Sequence, residues 1–138
     1  MKPDALYRTA AVLFFLFAVL HTAGFLSFKP PTEEGIAVER GMKSVRFEAS
    51  GAMRTYGDFY RGFGLFCSVF LLLSAVLSWQ LGSAAAAGGP VVRAATWTLC
   101  AAHVAGFALS CIYFFWPPAL FSAVTAALLG RAAYLAKR

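Results

Sequence analysis

The fold is decided by twenty consecutive residues without a charge at positions 9–28, TAAVLFFLFAVLHTAGFLSF. A helix of about 20 residues, rising roughly 1.5 Å per residue, crosses a hydrocarbon core about 30 Å thick. A secretory signal peptide is the rival interpretation, because Lys2 and Arg8 precede the run. Its apolar part would be shorter, however, and a small-residue cleavage site would follow it. We therefore expect a retained transmembrane helix at about 9–28.

The composition excludes an ordinary soluble domain. Hydrophobic residues make up 60% of the 138 residues and charged residues only 13%, whereas soluble domains contain about half apolar and about a quarter charged residues. A chain this short cannot bury so much apolar surface in its own core, so lipid must surround much of it. The net charge of +6 comes from basic residues beside the apolar runs. It therefore favours contact with anionic lipid head groups and not with nucleic acid.

Three further apolar segments follow the first and are separated by helix breakers. Pro117 and Pro118 divide a long uncharged run, because proline disfavours continuation of a helix. Backbone groups in lipid must bond within their own segment, which favours helices. The predicted segments are a polar stretch at 29–56, a linker at 82–92 and transmembrane helices at about 57–81, 93–116 and 119–136. The expected fold is an all-α, single-domain membrane protein, an up-down-up-down antiparallel bundle of four transmembrane helices.

Two stripes of small residues predict where these helices pack. Ser122, Ala126 and Gly130 recur every four residues in the fourth helix, and the third helix carries Ala102, Gly106 and Ser110 at the same spacing. Small residues let helix backbones approach closely in lipid. We expect both stripes to face neighbouring helices.

The charges favour one orientation in a bacterial inner membrane. The Lys and Arg counts of the two sides are equal, so the positive-inside rule alone does not decide. Basic residues on the terminal side, including Arg131, Lys137 and Arg138, lie close to the ends of the spans. The Trp116-Pro-Pro turn on the other side carries no charge that would resist translocation. Both termini are therefore expected in the cytoplasm.

The polar segment after the first helix is expected to be partly helical. Pro30-Pro31-Thr32-Glu33-Glu34 is typical of a helix start, with Thr32 as the cap and acids in the first turn. One amphipathic face would then be formed by Val38, Met42, Val45 and Ala49. The alternation in residues 44–48 also fits a short strand.

The densest polar and aromatic stretch, MRTYGDFYRGFG, occupies residues 53–64. If the second transmembrane helix begins near Thr55, Arg54, Asp58 and Arg61 share one face, and Asp58 could pair with either arginine. Tyr56 and Tyr60 would lie at the height of the lipid head groups. Two interpretations remain open here: an aromatic belt with an ion pair at the helix end, or a polar mouth that binds a head group or an anionic ligand.

This stretch, with LLLSAVLSWQLG at residues 71–82, resembles an uncharacterised family of small four-helix bacterial inner-membrane proteins. A DFY-x-GFGL motif opens the second helix of its members, after a charged segment. The resemblance implies the same architecture and a bacterial origin. It implies no catalytic residue.

Two histidines occur in similar surroundings on different helices. His21-Thr-Ala-Gly-Phe25 and His103-Val-Ala-Gly-Phe107 agree at four of five positions, and both rings are expected near the middle of the membrane. Ionisable groups there are costly and are candidates for function. The functional alternatives for His21 and His103 are axial ligation of a haem b, a site for a quinone or a sterol-like lipid, and a proton relay. The structural alternative is that each ring bonds a polar group on the next helix.

The sequence thus favours a non-enzymatic membrane protein, either an accessory subunit or a binder of a lipophilic ligand. Its partner would be another membrane protein or a second copy of the chain. No catalytic motif is present, and the three cysteines lack the spacing of a zinc site, so no metal is predicted. The alternative is a small redox or lipid-modifying enzyme using His21 and His103, with Tyr56, Asp58 and Tyr60 near its mouth. A Soret band lost on His21→Ala or His103→Ala would establish haem. A third hypothesis, a channel or transporter subunit, requires an oligomer.

Overall fold

Four long apolar helices dominate the computed structural model, which describes residues 2–85 and 87–136. In chain order the elements of these residues are α1 (Pro3–Ser27), α2 (Glu33–Ser44), β1 (Arg46–Ala49), β2 (Ala52–Thr55), α3 (Tyr56–Ala84), α4 (Pro90–Tyr113) and α5 (Trp116–Leu135). Each of α1, α3, α4 and α5 is long and apolar enough to cross a membrane. The prediction of an all-α protein with four such helices is confirmed.

Pro90, Pro117 and Pro118 lie inside the first turns of helices and not between them. α4 begins at Pro90, and α5 begins at Trp116 with Pro117 and Pro118 directly after it. The first N–H groups of a helix have no partner within the helix, so proline loses nothing there and its fixed φ suits the first turn. The two prolines therefore separate α4 from α5, as predicted, but they do so by starting α5.

The apolar helices carry most of their large side chains outside and many small or polar ones inside. On α3, Phe63 and Phe66 are each 71% exposed, whereas Ser74 and Ser78 are buried. Water would make such an exterior costly, but lipid tails are as apolar as the side chains that meet them. Helices in lipid associate through close packing and interhelical hydrogen bonds, which small and polar residues provide. The distribution therefore fits a protein that lipid surrounds.

The described residues form two compact units. The first contains residues 2–17 and 71–136, and the second contains residues 18–70. In the first unit, Tyr7 and Phe14 of α1 and Leu129 of α5 are almost completely buried. The Arg8 guanidinium lies 4.4 Å from the centre of the Trp79 ring of α3, where a cation–π interaction is favourable.

α4 and α5 pack closely and run antiparallel. Cys100 Sγ donates to the carbonyl oxygen of Ala126 at 3.3 Å, and a Cβ placed on Gly106 would lie 3.6 Å from Ser122 Oγ. The stripe predicted on α5 thus faces α4. The up-down-up-down order of all four helices stays a prediction.

The stripe predicted on α4 is only partly correct. Ser110 is buried and Gly106 is half-buried, but Ala102 is exposed, and the neighbouring His103 takes the interior position. A strict spacing of four residues drifts around a helix that has about 3.6 residues per turn. The interior stripe of α4 therefore follows the shorter helical period and leaves Ala102 outside.

In the second unit, α2 is followed by a β-hairpin. Thr32 caps α2 and accepts a hydrogen bond from the N–H of Gly35 at 3.1 Å, as its sequence predicts. The helix ends at Ser44, and β1 pairs with β2 across a turn at Ser50 (φ 52°) and Gly51 (φ 81°). Two left-handed residues match the twist of paired strands. Both interpretations of this segment were therefore right in part, since the helix stops where the alternating pattern begins.

Candidate functional site

The end of α1 and the start of α3 pack antiparallel within the second unit. The hydroxyl of Thr22 donates to Ser68 Oγ at 2.8 Å, and His21 Nε2 donates to the carbonyl oxygen of Gly64 at 3.1 Å. The Phe25 ring occupies the space that a side chain at position 64 would fill. Gly64 thus lets the two backbones approach closely enough for the histidine to reach across.

Thr55 and Asp58 form a reciprocal cap at the start of α3. The N–H of Asp58 donates to Thr55 Oγ1 at 3.0 Å, and the N–H of Thr55 donates to Asp58 Oδ2 at 2.8 Å. Such a capping box satisfies two N–H groups that the helix itself leaves without partners. The helix starts at Tyr56, within one residue of the predicted bound at 57.

Asp58 forms no direct ion pair with any arginine that the structure describes, although Arg54 and Arg61 both act on its carboxylate at longer range. No acid among the described residues lies within 4 Å of Arg54 or Arg61, because the Asp58 carboxylate is held by Thr55. Asp58 precedes the uncharged run that begins at Gly62, so it lies outside the apolar part of α3.

A groove of about 790 Å³ lies among the end of α1, α2, the hairpin and the start of α3. Its apolar lining comes from α1, the following turn and α2, through Phe25, Leu26, Phe28, Pro30, Pro31, Val38 and Met42. Its charged lining consists of Glu39, Lys43, Arg46, Asp58 and Arg61. Binding sites for small molecules combine an apolar lining with a few polar groups in about this volume.

The charges in this groove do not cancel. Lys43 Nζ lies 2.7 Å from Glu39 Oε1, so these two form an ion pair on α2. The Asp58 carboxylate accepts the N–H of Thr55 and keeps its negative charge, so the five charged lining residues sum to +1. Arg46 and Arg61 have no acid within 4 Å in residues 2–85 and 87–136. Two guanidinium groups therefore remain available for a negatively charged ligand.

The structure brings together only part of the site that the sequence predicts. Asp58, Tyr60 and Arg61 line the groove, but Arg54 and Tyr56 do not. Arg54 lies on β2, before the helix begins, and its Nη1 donates to the carbonyl oxygen of Met53 at 3.0 Å. Tyr56 packs on the Phe47 ring, with the centres 4.8 Å apart.

Most of the residues that line the groove were not predicted as site residues, among them Val38, Met42 and Arg46. Val38 and Met42 were recognised only as one face of an amphipathic helix, and Arg46 only as part of an alternating stretch. The signal for the helix face was therefore present in the sequence. The position of Arg46 depends on the hairpin, which no single stretch encodes.

Each histidine has its own partner within its own unit. In the first unit, His103 is buried, its Nε2 lies 3.1 Å from Ser74 Oγ, and its ring packs on Phe14 with the centres 4.3 Å apart. In the second unit, His21 binds the carbonyl oxygen of Gly64. A haem iron bound to either Nε2 atom would displace the hydrogen bond that this atom makes. The geometry is that of histidines which join neighbouring helices, and the haem hypothesis stays a prediction.

Another buried polar pair lies in the first unit. Tyr7 Oη and Thr96 Oγ1 are 2.8 Å apart, and the Thr96 hydroxyl also donates to the carbonyl oxygen of Val92. Ser78 is fully buried, and its hydroxyl has no hydrogen-bond partner in the part of the chain that the structure describes.

Within the described residues, no three His, Cys, Asp or Glu side chains come together as a metal site requires.

The DFY-x-GFGL motif at residues 58–65 has a structural explanation at several positions. Asp58 caps α3, the Phe59 ring lies 5.3 Å from that of Phe47, and the Tyr60 ring lies 5.3 Å from that of Phe25. Gly64 accommodates Phe25.

Comparison of the chain with protein-family models, with curated proteins and with solved structures found no match. Membership of the bacterial family that the motif resembles stays a prediction.

Proposed function

We propose that this protein is a non-enzymatic membrane protein that binds a lipophilic ligand in the groove of residues 18–70. The observation that carries the proposal is the lining of this groove, where apolar side chains of α1 and α2 lie beside the guanidinium groups of Arg46 and Arg61. An amphipathic molecule needs both kinds of surface in one site.

The height of the groove in the membrane supports this function. The uncharged run of α1 ends at Phe28, and that of α3 begins at Gly62. α3 has 29 residues, or about 43 Å at 1.5 Å per residue, so its ends extend beyond a hydrocarbon core of about 30 Å. The groove lies among the residues next to these two boundaries, where the head group and the chains of a lipid meet.

A groove-filling substitution tests the proposal. We expect Val38→Trp, which places a large ring in the groove, to lower the amount of lipid that remains bound after purification in detergent by at least about tenfold. Native mass spectrometry of the purified protein measures bound lipid directly. Cross-linking with a lipid that carries a photoreactive diazirine in its chain should label the groove residues.

Ile36→Trp provides the matched control. Ile36 is also an exposed aliphatic residue of α2, but it does not line the groove. We expect this variant to retain lipid as the original protein does. Equal lipid retention by both variants, or cross-links distributed over all lipid-facing helices without preference for the groove, would contradict the proposal.

The proposed location is a bacterial inner membrane, with both termini in the cytoplasm. The basic residues near the span ends and the uncharged turn before α5 support this orientation; Lys137 and Arg138 lie outside the described residues. We expect a fluorescent protein fused to the C-terminus to be fluorescent and alkaline phosphatase fused there to be inactive. An active phosphatase fusion would refute the orientation.

A further inference from the structure

The junction between β2 and α3, at Thr55, places Arg46 and Arg61 in the groove. Arg46 of β1 is paired with Thr55 of β2. Thr55 is also the residue that caps α3 through Asp58. Arg61 lies three residues after Asp58, on the next turn of α3. The hairpin and the capped helix therefore supply the two arginines that line the groove.

The acids of the groove are already occupied. Glu39 pairs with Lys43, and the Asp58 carboxylate accepts the N–H of Thr55. A zwitterionic head group, such as phosphocholine, carries an ammonium group that needs a negatively charged partner. Among the described residues the lining of the groove carries three cations (Lys43, Arg46 and Arg61) and two carboxylates (Glu39 and Asp58), a net charge of +1. Arg46 and Arg61 have no acid within 4 Å in the described part of the chain, so their guanidinium groups can bind the phosphate.

We infer that the groove selects a lipid whose head group contains phosphate and has a net negative charge, with Arg46 and Arg61 as its ligands. The inference rests on the proposed function. Guanidinium groups bind phosphate through two parallel hydrogen bonds, which are stronger than hydrogen bonds between neutral groups.

The ligand is a lipid and not a soluble phosphate ester. Apolar side chains of Phe25, Val38 and Met42 line the same groove as the two arginines. A soluble phosphate ester would leave these side chains uncovered, whereas acyl chains would cover them and gain contacts. Glycerol phosphate at millimolar concentration should therefore leave bound lipid in place.

Competition between two lipids with identical dioleoyl chains tests the inference. The protein is incorporated into nanodiscs containing equal amounts of phosphatidylglycerol and phosphatidylcholine. Native mass spectrometry then counts the lipid molecules that stay bound when the protein is released from the nanodisc. We expect phosphatidylglycerol to be favoured by roughly tenfold, and this preference to disappear in the double variant Arg46→Gln, Arg61→Gln.

The double variant Arg40→Gln, Arg54→Gln is the matched control. It removes the same charge from exposed arginines of the same segment that do not line the groove, so it should keep the preference. Equal melting temperatures of the two double variants would show that neither change acts through unfolding.

Each outcome has a separate meaning. Equal binding of both lipids in a groove that the diazirine lipid still labels would overturn the inference and leave the proposed function intact. Loss of preference in the control variant would also overturn it, because general surface charge would then be the cause. Displacement of lipid by glycerol phosphate would overturn the assignment of a lipid. Absence of any lipid from the groove would overturn both proposals.

Discussion

Replacement of Gly64 by alanine should lower the free energy of unfolding by about 2 kcal/mol or more. A Cβ at this position would overlap the Phe25 ring, and forcing extra carbon into a packed contact typically costs about 1–3 kcal/mol. The ring cannot move without loss of its contact with Tyr60. The hydrogen bond between His21 and the carbonyl oxygen of Gly64 depends on the same close approach.

Gly62→Ala is the control for this prediction, and thermal unfolding in detergent micelles is the measurement. Gly62 lies in the same helix, and a Cβ there meets nothing within 4 Å. Alanine is favoured over glycine inside helices by up to about 1 kcal/mol, so Gly62→Ala should leave the melting temperature unchanged or raise it. If Gly64→Ala behaves in the same way, the described packing of α1 on α3 is incorrect.

Phe14→Ala should lower the free energy of unfolding by about 3–5 kcal/mol. The Phe14 side chain is 1% exposed and packs on the His103 ring. Removal of a buried aromatic ring leaves a cavity and removes many favourable contacts. The same change also removes the ring that packs on His103 beside its hydrogen bond to Ser74. Unfolding of the purified protein by a denaturing detergent measures the loss.

The adjacent residue, Phe15, provides the control, because its side chain is exposed and that of Phe14 is buried. Phe15 is 54% exposed, and lipid would replace its ring in Phe15→Ala, so we expect a change within about 0.5 kcal/mol. Equal losses for Phe14→Ala and Phe15→Ala would contradict the described interior of the first unit.

The sequence was sufficient to predict the four apolar helices because the signal for each is local. Long uncharged runs and the Pro117-Pro118 pair are visible without knowledge of the fold, and Thr32 marks the start of α2 in the same way. The cap of α3 was also visible in principle, since Thr55 and Asp58 have the spacing of a capping box. The nearby arginines indicated an ion pair instead, whereas the direct partner of Asp58 is Thr55.

The groove could not be predicted, because its parts are distant in the chain. Phe25 and Tyr60 meet only when α1 packs on α3, and Arg46 reaches the same site only through its pairing with Thr55. The exposure of Ala102 was missed for a different reason. A stripe defined by constant spacing does not follow the period of a real helix.

An experimental structure of the protein in nanodiscs made from its own membrane lipids would test the central claim most directly. We expect acyl-chain density along Phe25, Val38 and Met42, with the density of a phosphate between the guanidinium groups of Arg46 and Arg61. A groove filled by the protein's own side chains, or acyl chains found only on the outer faces of the helices, would contradict that claim.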